Sequence, residues 1–158
     1  MKMKSDWLKL ITAIVVVQLA GFIGSIYTTP SIDSWFNLLQ KPLLSPPNWV
    51  FAPVWTILFL LMGISAWLIW KRGLGKKERL ALSVFLFQLV LNVWWSIIFF
   101  GWHNLGLAVL EIIALWLSIV WTIRVFNRLS PLAARLLWPY LIWVSFASYL
   151  TIAFWWLN

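Results

Sequence analysis

Residues 49–100 read WVFAPVWTILFLLMGISAWLIW, KRGLGKKER, LALSVFLFQLVLNVWWSIIFF, and the basic break in the middle of this stretch decides the fold. Two apolar runs, Trp49 to Trp70 and Leu80 to Phe100, flank a segment carrying Lys71, Arg72, Lys76, Lys77 and Arg79. Each run has roughly the 20 residues that cross about 30 Å of hydrocarbon at 1.5 Å per residue. Neither run sustains a two-residue alternation, and backbone groups in lipid must bond within their own segment. Helices are therefore expected, not barrel strands.

The same pattern recurs on either side, at Trp7 to Tyr27, Leu105 to Phe126 and Leu132 to Leu157. With 63% hydrophobic and 10% charged residues, a water-soluble domain would lack the polar surface to cover itself. The expected fold class is all-α: a polytopic membrane protein built as a five-transmembrane-helix bundle, with membrane lipid as its constant partner. No linker or internal repeat divides residues 1–158, so one domain is expected. A cleaved signal peptide is the competing reading of the first run, but the run exceeds the roughly 7–15 apolar residues of a signal core.

The net charge of +8 raises the question of a nucleic-acid partner, and its distribution answers against one. Five spans put Lys2, Lys4 and Lys9, the 71–79 loop, and Arg124, Arg128 and Arg135 on one side, leaving only Lys41 on the other. The positive-inside rule then predicts a cytoplasmic N-terminus and an external C-terminus in a membrane, the bacterial cell membrane being the expected one. With no cysteine, the chain gives no reading of redox compartment.

Between the first two spans, residues 28–48 hold Pro30, Pro42, Pro46 and Pro47, which should stop helix continuation. Ile32, Trp35, Phe36, Leu38, Leu39, Leu43 and Leu44 would be poorly placed in water. The segment is expected to pack as a lid over the external mouth, with a short amphipathic helix around Trp35, Leu38 and Leu39; an interfacial anchor is the alternative.

Fifteen tryptophans sort by depth. Trp7, Trp70, Trp102, Trp138, Trp155 and Trp156 fall near span ends, where indoles favour headgroup depth. Trp55, Trp94, Trp95, Trp116 and Trp143 fall further in. At helical spacing, Trp55, Phe59, Met62 and Ala66 share one stripe, Asn92, Trp95, Ser96 and Phe99 a second, and Tyr140, Trp143, Ala147 and Leu150 a third. Two outcomes remain open: simple helix packing, or one cavity with a few fixed polar points suited to a flat, largely apolar ligand such as a porphyrin or sterol. Asn92 favours the cavity, because an intramembrane amide needs a partner.

Glu111 is the one carboxylate well inside a span; it snorkels outward, bonds a neighbouring helix as the neutral acid, or faces the cavity. Ala20, Gly21, Gly24 and Ser25 permit close helix approach, within the chain or in a dimer. His103 stands without other ligand types nearby, so no metal site is expected. No glycine-rich nucleotide loop, Ser-His-Asp set or paired carboxylates are found.

The segment 41–56, KPLLSPPNWVFAPVWT, resembles the TspO/MBR family of tryptophan-rich sensory proteins and translocator proteins. The likeness continues through Leu61-Met62-Gly63, Leu91-Asn92-Val93-Trp94-Trp95, Phe99-Phe100-Gly101, Pro139-Tyr140-Leu141-Ile142-Trp143 and Phe146-Ala147-Ser148-Tyr149-Leu150. The resemblance implies a five-helix bundle, commonly a homodimer, with a pocket under the first loop for porphyrins, sterols and benzodiazepine-type compounds. No cofactor is required; porphyrin enters as ligand. By motif position, Trp55, Asn92, Trp95, Trp143 and Ala147 match pocket residues and Phe59 stands where an aromatic is usual. Phe36, Ser96 and Phe146 complete the ligand-binding set.

Some bacterial members promote light- and oxygen-dependent breakdown of protoporphyrin IX, which would make Trp55 and Trp143 the catalytic candidates here. Leu44 departs from the aromatic that is frequent in the family's loop. The cholesterol-recognition pattern is also incomplete, because no Lys or Arg follows Tyr149. Besides binding and breakdown, transport of a small apolar molecule is a third expectation, lacking the repeats and coupling charges of known secondary transporters.

Overall fold

A computed structural model describes residues 2–158, with side chains from Asp6 onward. Lys2 and Lys4, which enter the charge pattern, lie outside the described side chains. The helices are α1 (Lys2–Ser34), α2 (Phe51–Trp70), α3 (Lys76–Ser96), α4 (Leu105–Asn127), α5 (Pro131–Leu136) and α6 (Trp138–Leu157). Among the described residues, five helical segments are long and apolar enough to cross a membrane, with α5 and α6 forming the fifth, and no strand occurs. The protein is an all-α integral membrane bundle.

Local chemistry explains where helices start and break. The Asn104 side chain accepts from Leu107 N at 2.9 Å to cap α4, and Ser130 accepts from Ala133 N at 3.3 Å to cap α5, with Pro131 in its first turn. Pro139 lies in the first turn of α6, where its missing N–H is tolerated, so the fifth span breaks at Leu137. After α3 the backbone widens into a π turn over Ile97–Gly101. There Phe100 O accepts from Ser31 Oγ at 2.6 Å.

One expected boundary is corrected. The first span does not end at Tyr27 with Pro30 as breaker; α1 continues through Pro30 to Ser34. Hydroxyls supplement the ladder there, with Thr28 Oγ1 donating to Gly24 O at 3.1 Å and Ser34 Oγ to Pro30 O at 2.8 Å. The carbonyl that Pro30 leaves without its donor is that of Ile26, which neither hydroxyl reaches. The lid is correspondingly shorter, and its expected amphipathic helix is a single 3-10 turn, Phe36–Leu38.

Small residues set the helix contacts. A Cβ at Gly63 would stand 2.8 Å from Ile14 Cα, so α1 and α2 cross backbone to side-chain-free backbone. At Gly21 a Cβ would enter the Phe59 ring, and at Gly24 it would press on Ser96 Oγ at 3.1 Å. The small stripe of α1 is thus used within the chain.

The basic segments gather at one end. Trp67 Nε1 donates to Asp6 O at 3.0 Å, Lys71 Nζ sits 4.3 Å from the Trp67 ring centre, and Ser65 Oγ donates to Ala133 O at 2.7 Å. These contacts bring the start of α1, the 71–79 loop and the 124–135 loop together. At the opposite end Gln40 N donates to Asn158 Oδ1 at 2.9 Å and Tyr149 Oη to Leu43 O at 3.0 Å, tying the lid to the end of α6.

Candidate functional site

Below the lid, α1, α2, α3 and α6 leave a cavity of about 420 Å³, within the roughly 300–1,000 Å³ of small-molecule sites. Each wall follows from a helical stripe. On α2, Trp55 and Phe59 stack with ring centres 5.4 Å apart. Asn92, Trp95 and Ser96 of α3 and Phe99 of the following π turn line the space, Trp95 and Phe99 stacking at 5.0 Å. From α6 come Trp143, Ala147 and Leu150, with Phe51 set edge-on to Trp143 at 6.0 Å.

The lid supplies Phe36, which is buried against Phe99, Phe100 and Phe154 with centroid distances of 5.1–6.2 Å. Trp35 beside it stacks on His103 at 4.2 Å. Leu38, Leu43 and Leu44 do not pack as expected; all three are exposed, and Leu44 has a left-handed φ of 70°. The lid is seated by its aromatic residues and its hydrogen bonds to the end of α6.

Eight of the nine expected ligand-binding residues therefore line one space: Phe36, Trp55, Phe59, Asn92, Trp95, Ser96, Trp143 and Ala147. Phe146 is the exception. It lies outside the cavity wall, tilted against Trp143 at 5.8 Å and stacked on Tyr149 at 6.3 Å, because its helical position turns it toward the α6 flank. Met62 and Ala66 continue the α2 stripe but are buried below the cavity in the packed core.

Glu111 does not face the cavity and does not snorkel. It is buried on α4, and neither carboxyl oxygen has a hydrogen-bond partner. Trp116 is likewise outside the cavity, its indole donating to Ser145 Oγ at 2.8 Å, and Trp94 is exposed. Trp7, Trp102, Trp138, Trp155 and Trp156 are exposed near helix ends, as anchoring requires.

Sequence reasoning missed the contribution of α1. Gln18, Gly21, Ser25 and Thr28 join the lining, and Gln18 Nε2 donates to Thr56 O at 3.2 Å. The signal was present in the small and polar residues of that helix. Lining residues Phe22, Ser25, Thr29, Ala52 and Thr56 are also exposed, so the cavity opens sideways between α1 and α2. Both helices are long and apolar enough to cross a membrane.

Polar groups are few and placed. Asn92 Nδ2 donates to Tyr140 Oη at 3.0 Å, while the indole N–H groups of Trp95 and Trp143 are buried without partners.

Comparison with known proteins fits this geometry. The TspO/MBR family profile matches residues 13–157, which takes in all four cavity helices and the lid. The chain belongs to the TspO/MBR family. It is 41% identical over 151 residues to a tryptophan-rich protein TspO from Archaeoglobus fulgidus, covering 96% of this chain and 97% of the relative. A translocator protein from Bos taurus is 34% identical over 155 residues, covering 97% and 92%. A tryptophan-rich sensory protein from Cereibacter sphaeroides is 31% identical over 147 residues, covering 92% and 89%. TspO/MBR membership thus extends over nearly the whole chain, including every cavity residue named above.

Proposed function

We propose that this TspO/MBR protein binds tetrapyrroles of the porphyrin or haem type, and related planar apolar molecules such as sterols, in a sensory or stress-regulatory role. One observation carries the reading: a membrane-embedded cavity walled by Trp55, Phe59, Trp95, Phe99 and Trp143, with Asn92 as its fixed polar point. Indole and phenyl faces match a flat π-system, and the sideways opening between α1 and α2 suits a ligand dissolved in lipid. Titration with protoporphyrin IX should quench tryptophan emission in wild type, and Asn92→Ala with Trp143→Ala should weaken the affinity about tenfold or more. Unaltered quenching in that variant would remove the site from this cavity.

Light- and oxygen-dependent porphyrin breakdown is the second reading, favoured by Trp55 and Trp143 lining the same space. It requires the indoles to act chemically. Trp55→Phe with Trp143→Phe should then stop porphyrin loss under illumination in air while retaining part of the binding; unchanged product formation would end that reading. Flux of labelled porphyrin into proteoliposomes separates transport from both.

The gathered basic end supports a cytoplasmic N-terminus in a bacterial cell membrane, with the lid outside. A homodimer would need a face other than the Gly21 and Gly24 stripe, which Phe59 and Ser96 occupy. The outward face of α1, with Leu8, Ile11, Val15 and Leu19 exposed, is open to lipid or to a second copy.

A further inference from the structure

Behind the α3 wall runs a short chain of buried polar groups. Gln88 and Asn92 lie one turn apart on α3, and Tyr140 of α6 sits between them. Asn92 Nδ2 donates to Tyr140 Oη at 3.0 Å, and Tyr140 Oη donates to Gln88 Oε1 at 2.9 Å. Asn92 is 6% exposed, Gln88 1% and Tyr140 0%, so solvent does not enter this exchange. Of the three, only Asn92 reaches the cavity.

A phenol has one proton to give. Because that proton goes to the Gln88 carbonyl, the hydroxyl meets Asn92 as an acceptor, and the Asn92 amide is committed: Nδ2 turns inward and Oδ1 is left for the cavity. In the reverse chain, Gln88 Nε2 would donate to Tyr140 and Tyr140 to Asn92 Oδ1, and the cavity would meet an NH2 group. The two amides must turn together. Gln88 Nε2 has no partner here, and neither has either Glu111 oxygen.

We infer that Gln88 and Tyr140 are positioning residues that fix the polarity of Asn92, so that the pocket selects planar apolar ligands offering an O–H or N–H donor over isosteres that only accept. The inference rests on the cavity being the ligand site, and it adds a selection rule that aromatic walls alone do not impose. The stacking face of the ring is the same for O–H and O–CH3; an unpaired acceptor in low dielectric distinguishes them.

The test uses the full-length protein in detergent micelles with 1-pyrenemethanol and its methyl ether, read by energy transfer from tryptophan to pyrene. Wild type should bind the alcohol about tenfold more tightly than the ether, the scale set by leaving one buried acceptor unpaired. In Gln88→Met the Tyr140 proton is free for Asn92 Oδ1, Asn92 turns its Nδ2 to the cavity, and the ratio should fall to one or invert. Tyr140→Phe, which releases Asn92 altogether, should bring the ratio near one.

A merely structural role would lower both affinities and leave the ratio alone. Retention of the wild-type ratio in Gln88→Met or Tyr140→Phe, with helicity and gel-filtration profile intact, overturns the inference; so does a wild-type ratio of one with both probes bound. Failure of either probe to compete with protoporphyrin IX would instead overturn the reading of the cavity as the ligand site, and the selection rule with it.

Discussion

The two halves of the bundle are built from similar residues and packed in opposite ways. Toward the basic end, Ile69, Phe85, Phe126, Ala133 and Leu137 are at most 2% exposed, and the Phe85 and Phe126 rings stack at 5.8 Å. Toward the lid, equally large aromatics stand around an open cavity. Small side chains account for the difference. Ala66, Ala81, Ala133 and Ala134 let helices close on the basic half. Near the lid, rings pack along the walls, Trp55 on Phe59, Trp95 on Phe99 and Phe51 edge-on to Trp143, and leave the space between them unfilled. Aromatic content alone does not make a core; what faces each ring decides whether the space is filled.

Removing a ring from the closed half should produce the largest effect. Phe126 is fully buried against Phe85, and Phe126→Ala should destabilise the protein by about 3–5 kcal/mol, the usual cost of such a void. Denaturant unfolding followed by tryptophan emission would measure it. Phe59→Ala, bordering space that is already open, should cost less in the same assay. Equal losses at the two positions would mean that the halves are packed alike.

How far this contrast was legible in the sequence depends on what each feature needs. Spans, loops and the gathered charge follow from hydropathy and Lys/Arg placement, which are properties of single segments. The stripes of Trp55 and Phe59, of Asn92 and Trp95, and of Trp143 and Ala147 follow from helical period, and they do face one space. Helical period could not show how deep each stripe stays hollow, so Met62 and Ala66 were grouped with a cavity that ends above them. Phe146, beside Trp143, turns to the flank for the same geometric reason.

Other features depend on partners far along the chain. Pro30 reads as a breaker, yet α1 runs through it to Ser34, and in that stretch Ser31 Oγ donates to Phe100 O. Gln88 has no local signature, since its partner Tyr140 is on another helix. Glu111 was visible as an intramembrane acid, yet only packing shows that it meets none of the three expectations: it is buried, unpartnered and outside the cavity. The α1 wall was hidden because glycine signals close approach without saying to what, and at Gly21 the neighbour is a cavity ring.

That position gives the second prediction, intermediate in size. A Cβ at Gly21 would occupy the place of the Phe59 ring edge, so Gly21→Val should push the ring toward the open space beside it. Protoporphyrin affinity is expected to drop about tenfold, equivalent to about 1.4 kcal/mol, with unfolding shifted much less than in Phe126→Ala. In the closed half such a ring would have nowhere to go. A large stability loss with unchanged affinity would show that the lid half yields no more than the basic half.

The smallest expected effect concerns the cover of the open half. Aromatic packing seats Phe36, but the rest of the lid is tied by few hydrogen bonds, Tyr149 Oη to Leu43 O and the reciprocal pair between Asn158 and Gln40. Such bonds contribute about 1 kcal/mol each when shielded and less when exposed, as these are. Tyr149→Phe with Asn158→Ala should therefore leave unfolding nearly unchanged, because nothing in the closed half depends on them. Ligand residence is the sensitive quantity, since departure from a covered site is where most affinity differences appear. Stopped-flow displacement of protoporphyrin IX should show release accelerated about threefold to fivefold. If release is unchanged while Gly21→Val still lowers affinity, ligand leaves sideways between α1 and α2, and the lid serves to hold the helix ends rather than to gate the site.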